Sequence, residues 1–164
     1  MNWILDANTI IYLIKAKLSD IFMECAGNRV IIDTNVYKEV VEKGEERGYQ
    51  DATLAKRYLQ KYQISIKPID ISYKLALFRD AGETSCHILS TGSDICISSD
   101  KRAIQKFIEY NTNVIHLDEF FFIQAIGKKL SKDDFISILN QLEMVYATSP
   151  ERKLILLQEL EKNE

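Results

Sequence analysis

Short apolar runs alternate along the chain with longer segments in which apolar residues recur at helical spacing. The runs occupy residues 3–5, 29–32, 64–69, 95–98 and 113–117. Each run has the length of a buried strand. Because Pro68 has no N–H to donate to a central ladder, the third run is predicted at the edge of a sheet. The alternation of strands and helices favours a parallel sheet with helices on both faces.

Helical spacing fills the segments between the runs and continues beyond the last of them. The predicted helices within the alternating part lie in residues 34–46, 51–62, 84–90, 101–110 and 118–126. Two further helices are predicted near the carboxyl end, behind the caps Ser131 and Ser149. We therefore expect one domain over residues 1–130 and a helical extension over residues 131–164, packed on or beside it.

Composition and charge narrow the class of protein. The chain has 164 residues, of which 46% are hydrophobic and 27% are charged, so a folded domain is expected rather than disorder. No apolar run approaches the roughly 18–20 residues that cross a bilayer, so no membrane association is expected. Three widely spaced cysteines predict neither a disulfide framework nor a zinc site and are typical of the cytoplasm. The net charge of −3 provides no general attraction for nucleic acid.

Acidic residues recur where predicted strands end and the next helices begin. Asp6, Asp33 and Asp100 each follow an apolar run, while Glu39 and Glu83 lie near helix starts. In a parallel sheet the carboxyl ends of the strands form the ligand-binding edge, so Asp6 and Asp100 are expected close together. Two carboxylates about 4 Å apart repel by on the order of 4 kcal/mol at an effective dielectric of about 20. Mg²⁺ or Mn²⁺ would relieve this repulsion and could activate water against a phosphodiester.

Each acid also has an ordinary structural interpretation. Asp6 and Asp100 can cap the helices that come after them, and capping is the default role of Asp33. Glu39 fits a solvated helix face, and Glu83 in a first helical turn complements the helix dipole. The functional interpretation therefore depends on the recurrence of acids at the same end of successive strand–helix units.

Four segments, in this order, resemble the motifs of the PIN-domain family of metal-dependent nucleases. Residues 4–11 are similar to the first motif, 34–41 to the second, 81–84 to the Gly-Glu form of the third, and 97–100 to the fourth-strand motif. The segments match small single-domain prokaryotic members, including toxin ribonucleases of toxin–antitoxin pairs. The resemblance implies a three-layer α/β sandwich with a five-stranded, mainly parallel sheet.

The resemblance implies a role for each matched residue. Asp6, Glu39, Glu83 and Asp100 would act in catalysis by holding Mg²⁺ or Mn²⁺. Ser98 would position water or one of the acids. The implied activity is that of an endoribonuclease, a hydrolase that cleaves phosphodiester bonds of RNA.

Two residues beside these acids are predicted to contact substrate. Asn8 lies at the small polar position of the first motif, and Lys101 comes directly after the fourth-strand acid. Many family members carry a further acid at the position of Lys101, which leaves one or two metal ions as alternatives. The third acid of the family is often an Asp within a helix, whereas this chain has Glu83 at a helix start, with Asp80 as a candidate helper.

The resemblance also implies partners. RNA is the expected substrate, and an antitoxin protein is the expected partner if the chain is a toxin. Apolar stripes in residues 118–126 and 154–160 predict a homodimer.

Two other classes of function remain open. A catalytically weak PIN-like protein would keep the fold and act as an RNA-binding or scaffold protein. A phospho-acceptor receiver domain is also doubly wound, but it requires paired acids after the first strand and a lysine after the fifth. This chain has a single Asp at the first place and no Lys directly after residues 114–117.

Overall fold

Five parallel strands form the centre of the computed structural model, which describes residues 1–90 and 92–163. The strands are β1 (Trp3–Leu5), β2 (Val30–Asp33), β3 (Ser65–Lys67), β4 (Ile95–Ser98) and β5 (Val114–His116). Their order across the sheet is β3-β2-β1-β4-β5, and every neighbouring pair is parallel. Each predicted apolar run forms one of these strands, so the predicted parallel sheet is confirmed. All residues of β3 are exposed, and the strand lies at the edge of the sheet, as Pro68 predicted.

Helices on both faces of the sheet complete a three-layer α/β sandwich. Their bounds are α1 (Ala7–Lys15), α2 (Ser19–Ala26), α3 (Thr34–Tyr37), α4 (Lys43–Glu46), α5 (Gln50–Lys61), α6 (Leu75–Phe78), α7 (Ala81–Leu89), α8 (Lys101–Glu109), α9 (Leu117–Ile126), α10 (Lys132–Met144) and α11 (Pro150–Lys162). Trp3 and Phe120 meet edge to face with ring centroids 5.0 Å apart, and Phe120 also packs on Phe22. None of the helices in the described residues is both long and apolar enough to cross a membrane.

Three helix starts differ from the apolar pattern, among them that of the short α6, which the pattern does not predict. The pattern does not predict α2, whose N-cap residue Leu18 has no side-chain acceptor for the first backbone N–H groups. Helix α7 begins at Ala81, three residues before the predicted helix, because the Asp80 side chain accepts a hydrogen bond from the Glu83 N–H. Tertiary packing supports α2, and a local cap extends α7.

A π-helical turn interrupts the single helix predicted over residues 34–46. The turn spans Lys38–Glu42 between α3 and α4, and the Lys43 N–H donates to the carbonyl of Lys38. Such turns insert one extra residue into a helix and are frequent at functional sites. This turn contains Glu39, one of the predicted acids.

The two carboxyl-terminal helices, α10 and α11, pack against α9. The fully buried Asp118 at the start of α9 receives hydrogen bonds from Arg152 Nη2 at 2.7 Å and from Thr148. Burial alone would raise the pKa of Asp118, but the bonds from Arg152 and Thr148 outweigh it and hold the pKa below its usual value. The division of the chain after residue 130 stays a prediction, and residue 164 of the extension lies outside the described residues.

Candidate functional site

The acids at the ends of β1 and β4 lie beside each other. The two strands are neighbours, with Leu5 opposite Ile97, so the residues directly after them reach the same edge of the sheet. The Asp6 N–H donates to the carbonyl of Ile97 across this edge at 3.5 Å. Asp6 and Asp100 are therefore adjacent, as the order of acids predicted.

One cavity of about 180 Å³ is lined by all four acids that are predicted to hold the metal ion. Its lining comprises Asp6, Ala7, Asn8, Glu39, Asp80, Gly82, Glu83, Asp100 and Ala103. We call it the acidic cavity. It gathers side chains from α1, the π-helical turn, α7 and α8, which are far apart in the sequence.

Asp6 is almost fully buried and held from two sides. Its Oδ1 accepts a hydrogen bond from the Thr9 N–H at 2.7 Å, which caps α1, and its Oδ2 accepts one from the Ser98 hydroxyl. Burial raises the pKa of Asp6, and the negative charge of Asp100 adds to the rise, while the bonds from Ser98 and Thr9 oppose it. Asp6 thus caps a helix and also lines the cavity.

Asp100 is held in a similar way. Its Oδ1 accepts from the N–H groups of Arg102 at 2.8 Å and Ala103 at 3.2 Å, and its Oδ2 accepts from Asn8 Nδ2 at 3.2 Å. The Ser98 hydroxyl also accepts from the Asp100 N–H at 3.2 Å. Ser98 therefore joins Asp6 to Asp100.

Gly82 brings Glu39 close to the first turn of α7. A Cβ at this glycine would lie 3.1 Å from Glu39 Oε2 and 3.4 Å from Asp80 Oδ1. Although much of Glu39 is exposed, its carboxylate lines the acidic cavity. Burial raises the pKa of Glu39, as do the charges of Asp80, Asp6 and Glu83, while Lys43 lowers it.

Glu83 carries the one ion pair found among the cavity acids in residues 1–90 and 92–163. Its Oε2 accepts from Lys106 Nζ at 2.8 Å, and its side chain is 21% exposed. The ammonium group neutralises an acid that a divalent ion would also need. The sequence places Lys106 about two helical turns beyond Asp100, but nothing in the pattern predicts its pairing with Glu83.

Of the two other acids considered in the sequence, Asp80 lines the acidic cavity and Asp33 does not. Asp80 caps α7 and lines the acidic cavity, so the structure adds it as a fifth acid. Asp33 is fully buried and accepts from the Asn35 N–H and from the Ser85 hydroxyl, each at 2.6 Å. It caps α3, which agrees with the default interpretation, and it does not line the cavity.

The two residues that are predicted to contact substrate lie in different places. Asn8 lines the acidic cavity and holds Asp100, whereas Lys101 is exposed and does not line the cavity. Lys101 instead lies close enough to His116 and to Glu151 to interact with them electrostatically. Glu151 is in the first turn of α11. A contact of Lys101 with substrate stays a prediction.

The donor atoms of the acidic cavity suit a hard divalent cation. They are carboxylate oxygens, together with the Asn8 amide, which are the ligands that Mg²⁺ and Mn²⁺ prefer. Burial raises the pKa of Asp6 and Glu39, the charges of neighbouring acids add to the rise, and such an ion would offset both effects. Within the described part of the chain, however, no three His, Cys, Asp or Glu side chains stand close enough together to hold an ion as they are placed.

Comparison with known proteins adds one finding. A family model described as a PIN domain matches residues 2–113, about two-thirds of the chain. No curated protein and no solved structure matches the chain. The matched residues contain every acid that lines the cavity.

Proposed function

The chain belongs to the PIN-domain family, whose members are generally nucleases, and from this premise we propose that it is a metal-dependent endoribonuclease. The observation that carries the proposal is the acidic cavity, in which Asp6, Glu39, Glu83 and Asp100 converge. PIN-domain nucleases typically use divalent metal ions. The specificity for RNA and the choice of Mg²⁺ or Mn²⁺ belong to the proposal.

The four acids would hold the ion. Such an ion supplies Lewis acidity, lowers the pKa of water and neutralises charge that develops on a phosphodiester. Hydrogen bonds from Ser98 and from backbone N–H groups hold Asp6 and Asp100 before any ion arrives, and this preorganisation lowers the cost of binding. Asn8 fixes the second oxygen of Asp100. Glu39 and Glu83 would complete the set from neighbouring helical turns.

Removal of metal provides the direct test. We expect the purified chain to cleave labelled single-stranded RNA in Mn²⁺ or Mg²⁺ and to lose this activity in EDTA, with recovery when the metal is restored. Isothermal titration calorimetry should also detect Mn²⁺ binding without RNA. The exposed variant Asp20→Asn is the control, since Asp20 pairs with Lys61 outside the cavity. Cleavage that is insensitive to EDTA, or absent with either metal, would contradict the proposal.

A second candidate function, an RNA-binding or scaffold protein without catalysis, is favoured by the Lys106–Glu83 ion pair. An internal ammonium group balances part of the negative charge without any metal. The two functions predict different metal affinities once that ammonium group is removed.

Lys106→Met is expected to tighten Mn²⁺ binding by about two- to fivefold, because the ion then no longer has to break the partly exposed Lys106–Glu83 pair, which contributes up to about 1 kcal/mol. Calorimetric titration measures the change, and Lys61→Met, which removes a lysine paired with Asp20, is the matched control. If neither the wild type nor Lys106→Met binds Mn²⁺, the result would favour the scaffold function over the nuclease. Weaker binding by Lys106→Met would mean that the lysine holds Glu83 in its ligating position.

The homodimer and the antitoxin partner stay predictions within this proposal. Helices α9 and α11, which carry the apolar stripes, pack against each other within the chain, where Leu156 and Leu160 are buried. Leu154 and Ile155 remain exposed on α11. Size-exclusion chromatography with light scattering tests the dimer.

A further inference from the structure

A second cavity adjoins the acidic cavity, and its lining has three cations against two acids. Its volume is about 300 Å³, and it lies between α1, the helical stretch from the π turn through α4, and the start of α5. Its polar lining includes Lys15, Lys43, Arg47, Tyr49 and Asp51, and we call it the basic groove. Glu39 lines both cavities, so the two are neighbours.

The spacing of residues in the helical stretch creates this change of charge. Glu39, Lys43 and Arg47 succeed one another at intervals of four residues, and all three line the groove, so they share one face of this helical stretch. One end of the face carries an acid of the acidic cavity, and the other end carries two cations. A ligand that lies along this face would therefore pass from the acids to the cations.

The cations of the groove differ in whether a carboxylate pairs with them. Lys15 pairs with Asp51 at 3.6 Å. Across residues 1–90 and 92–163, Lys43 and Arg47 have no carboxylate within ion-pair distance. Neither cation forms an ion pair, so both are available to an anionic ligand, and the charge of Lys43 also acts on Glu39.

Tyr49 adds an aromatic surface at the same place. Its ring is exposed, with 57% of the residue accessible, while its N–H donates to the carbonyl of Gly44 at 2.9 Å and fixes its backbone. A Cβ at Gly44 would lie 2.7 Å from the Cβ of Ala52, so the glycine permits the close approach of α4 and α5 that forms the groove wall. An aromatic ring that lines the same groove as two cations matches the chemistry of a nucleotide, whose base stacks and whose phosphate pairs.

We propose that the basic groove binds one nucleotide unit of single-stranded RNA beside the scissile phosphate, with Lys43 and Arg47 on phosphate and Tyr49 stacked on an unpaired base. This inference rests on the proposed ribonuclease function and names how that function engages its substrate. The volume of the groove, about 300 Å³, is at the lower end of small-ligand pockets, which fits a single nucleotide. The chain as a whole is acidic, so local cations are needed to bring a polyanion to the acids.

Single-stranded RNA is favoured over duplex RNA for a geometric reason. Bases in an A-form duplex are stacked on their neighbours, so none is free to stack on Tyr49. Contributions from Tyr49 should therefore be confined to unpaired substrates, whereas those from Lys43 and Arg47 depend only on phosphate charge.

Fluorescence anisotropy with a labelled oligouridylate in EDTA tests the groove while cleavage is off. Arg47→Gln is expected to weaken binding about tenfold and to reduce the slope of log affinity against log salt by about 0.7. Lys56→Gln is the matched control, because Lys56 is a nearby lysine that pairs with Glu45 and does not line the groove. Equal losses in Arg47→Gln and Lys56→Gln would overturn the proposal, since they would indicate general charge attraction.

The aromatic contact has its own comparison. Tyr49→Ala should weaken binding to oligouridylate about tenfold and leave duplex RNA binding unchanged, whereas Tyr49→Phe should bind as the wild type does. Tyr146→Ala, which removes another exposed tyrosine, is the control. Circular dichroism melting verifies that each variant folds. No loss in Tyr49→Ala, or no RNA binding by the wild type, overturns the groove assignment.

Failure of the groove and failure of the proposed function are distinguishable. If Arg47→Gln and Tyr49→Ala lose binding in EDTA while the wild type never cleaves RNA with metal, the groove stands and the nuclease function falls. If the wild type cleaves RNA with metal and these variants bind and cleave as it does, the function stands and the groove assignment is wrong.

Discussion

Asp6→Asn is expected to reduce metal-dependent RNA cleavage by roughly 100-fold or more, since even loss of an outer partner of a metal ligand typically costs about 10–100-fold. The substitution removes one negative charge from the acidic cavity but keeps the shape of the side chain. Asparagine retains an oxygen that can accept the Thr9 N–H, so the cap of α1 is preserved. The loss would therefore report on chemistry and not on folding. Initial rates of cleavage of labelled RNA in Mn²⁺ measure it.

The stability of the same variant gives an independent readout. Because burial raises the pKa of Asp6, its charged form costs folding free energy at any pH above that raised pKa. Asp6→Asn should thus be as stable as the wild type, or more stable, at neutral pH. The difference should disappear as the pH falls below about 4, where the carboxyl is protonated in both folded and unfolded states. Urea denaturation across this range measures the effect.

Matched variants separate the outcomes. Asp100→Asn should also lose cleavage, because Asp100 lines the same cavity, while Asp20→Asn should cleave normally. Cleavage by Asp6→Asn and Asp100→Asn at the rate of the wild type would show the assignment of the site to be wrong.

Arg152→Met is expected to destabilise the fold by about 3–5 kcal/mol, which is the usual cost of leaving a buried charge without its partner. Asp118 is fully buried and receives two hydrogen bonds from Arg152, from Nε at 2.9 Å and from Nη2 at 2.7 Å. Methionine fills similar space but leaves the carboxylate with Thr148 alone. Urea denaturation at neutral pH measures the loss.

The destabilisation caused by Arg152→Met should also depend on pH. Arg152 holds the pKa of Asp118 below its usual value, so the stabilisation is complete above the unfolded pKa of about 3.9 and is lost as the pH falls through the folded pKa. In Arg152→Met the buried carboxyl should protonate more readily, so the gap between variant and wild type should narrow on acidification.

Lys153→Met is the control for this substitution. It removes the neighbouring cation, whose partner Glu143 is partly exposed, and should cost no more than about 1 kcal/mol. Equal losses in the two variants would mean that the Asp118 pair contributes no more than a surface ion pair. A loss in Arg152→Met alone would show that α11 is coupled to the start of α9 through Asp118.

The strands and the order of the acids are properties that the sequence predicts well. Trp3-Ile4-Leu5 and residues 95–98 are short apolar runs, and each ends within two residues of an acid. The period and length of such runs are local, so they can be recognised without knowing which strands pair. The parallel sheet then brings Asp6 and Asp100 to one edge.

Several site features depend on contacts between distant residues. The sequence predicts a regular helix through Glu39, but the structure has a π turn there. The Lys106–Glu83 pair joins two helices, and the basic groove requires α4 to approach α5 at Gly44. Each of these features depends on how one helix packs on another, which helical periodicity does not specify.

The amino-acid sequence by itself determined the alternation of strands and helices, the edge position of β3 and the set of acids from which a site could be built. Only the tertiary structure decided that Asp80 joins those acids, that Asp33 does not line the cavity, and that a lysine already neutralises Glu83. The physical reason is range. Apolar periodicity and capping act over a few neighbouring residues, whereas a cavity is defined by side chains that meet only after the sheet and its helices have packed.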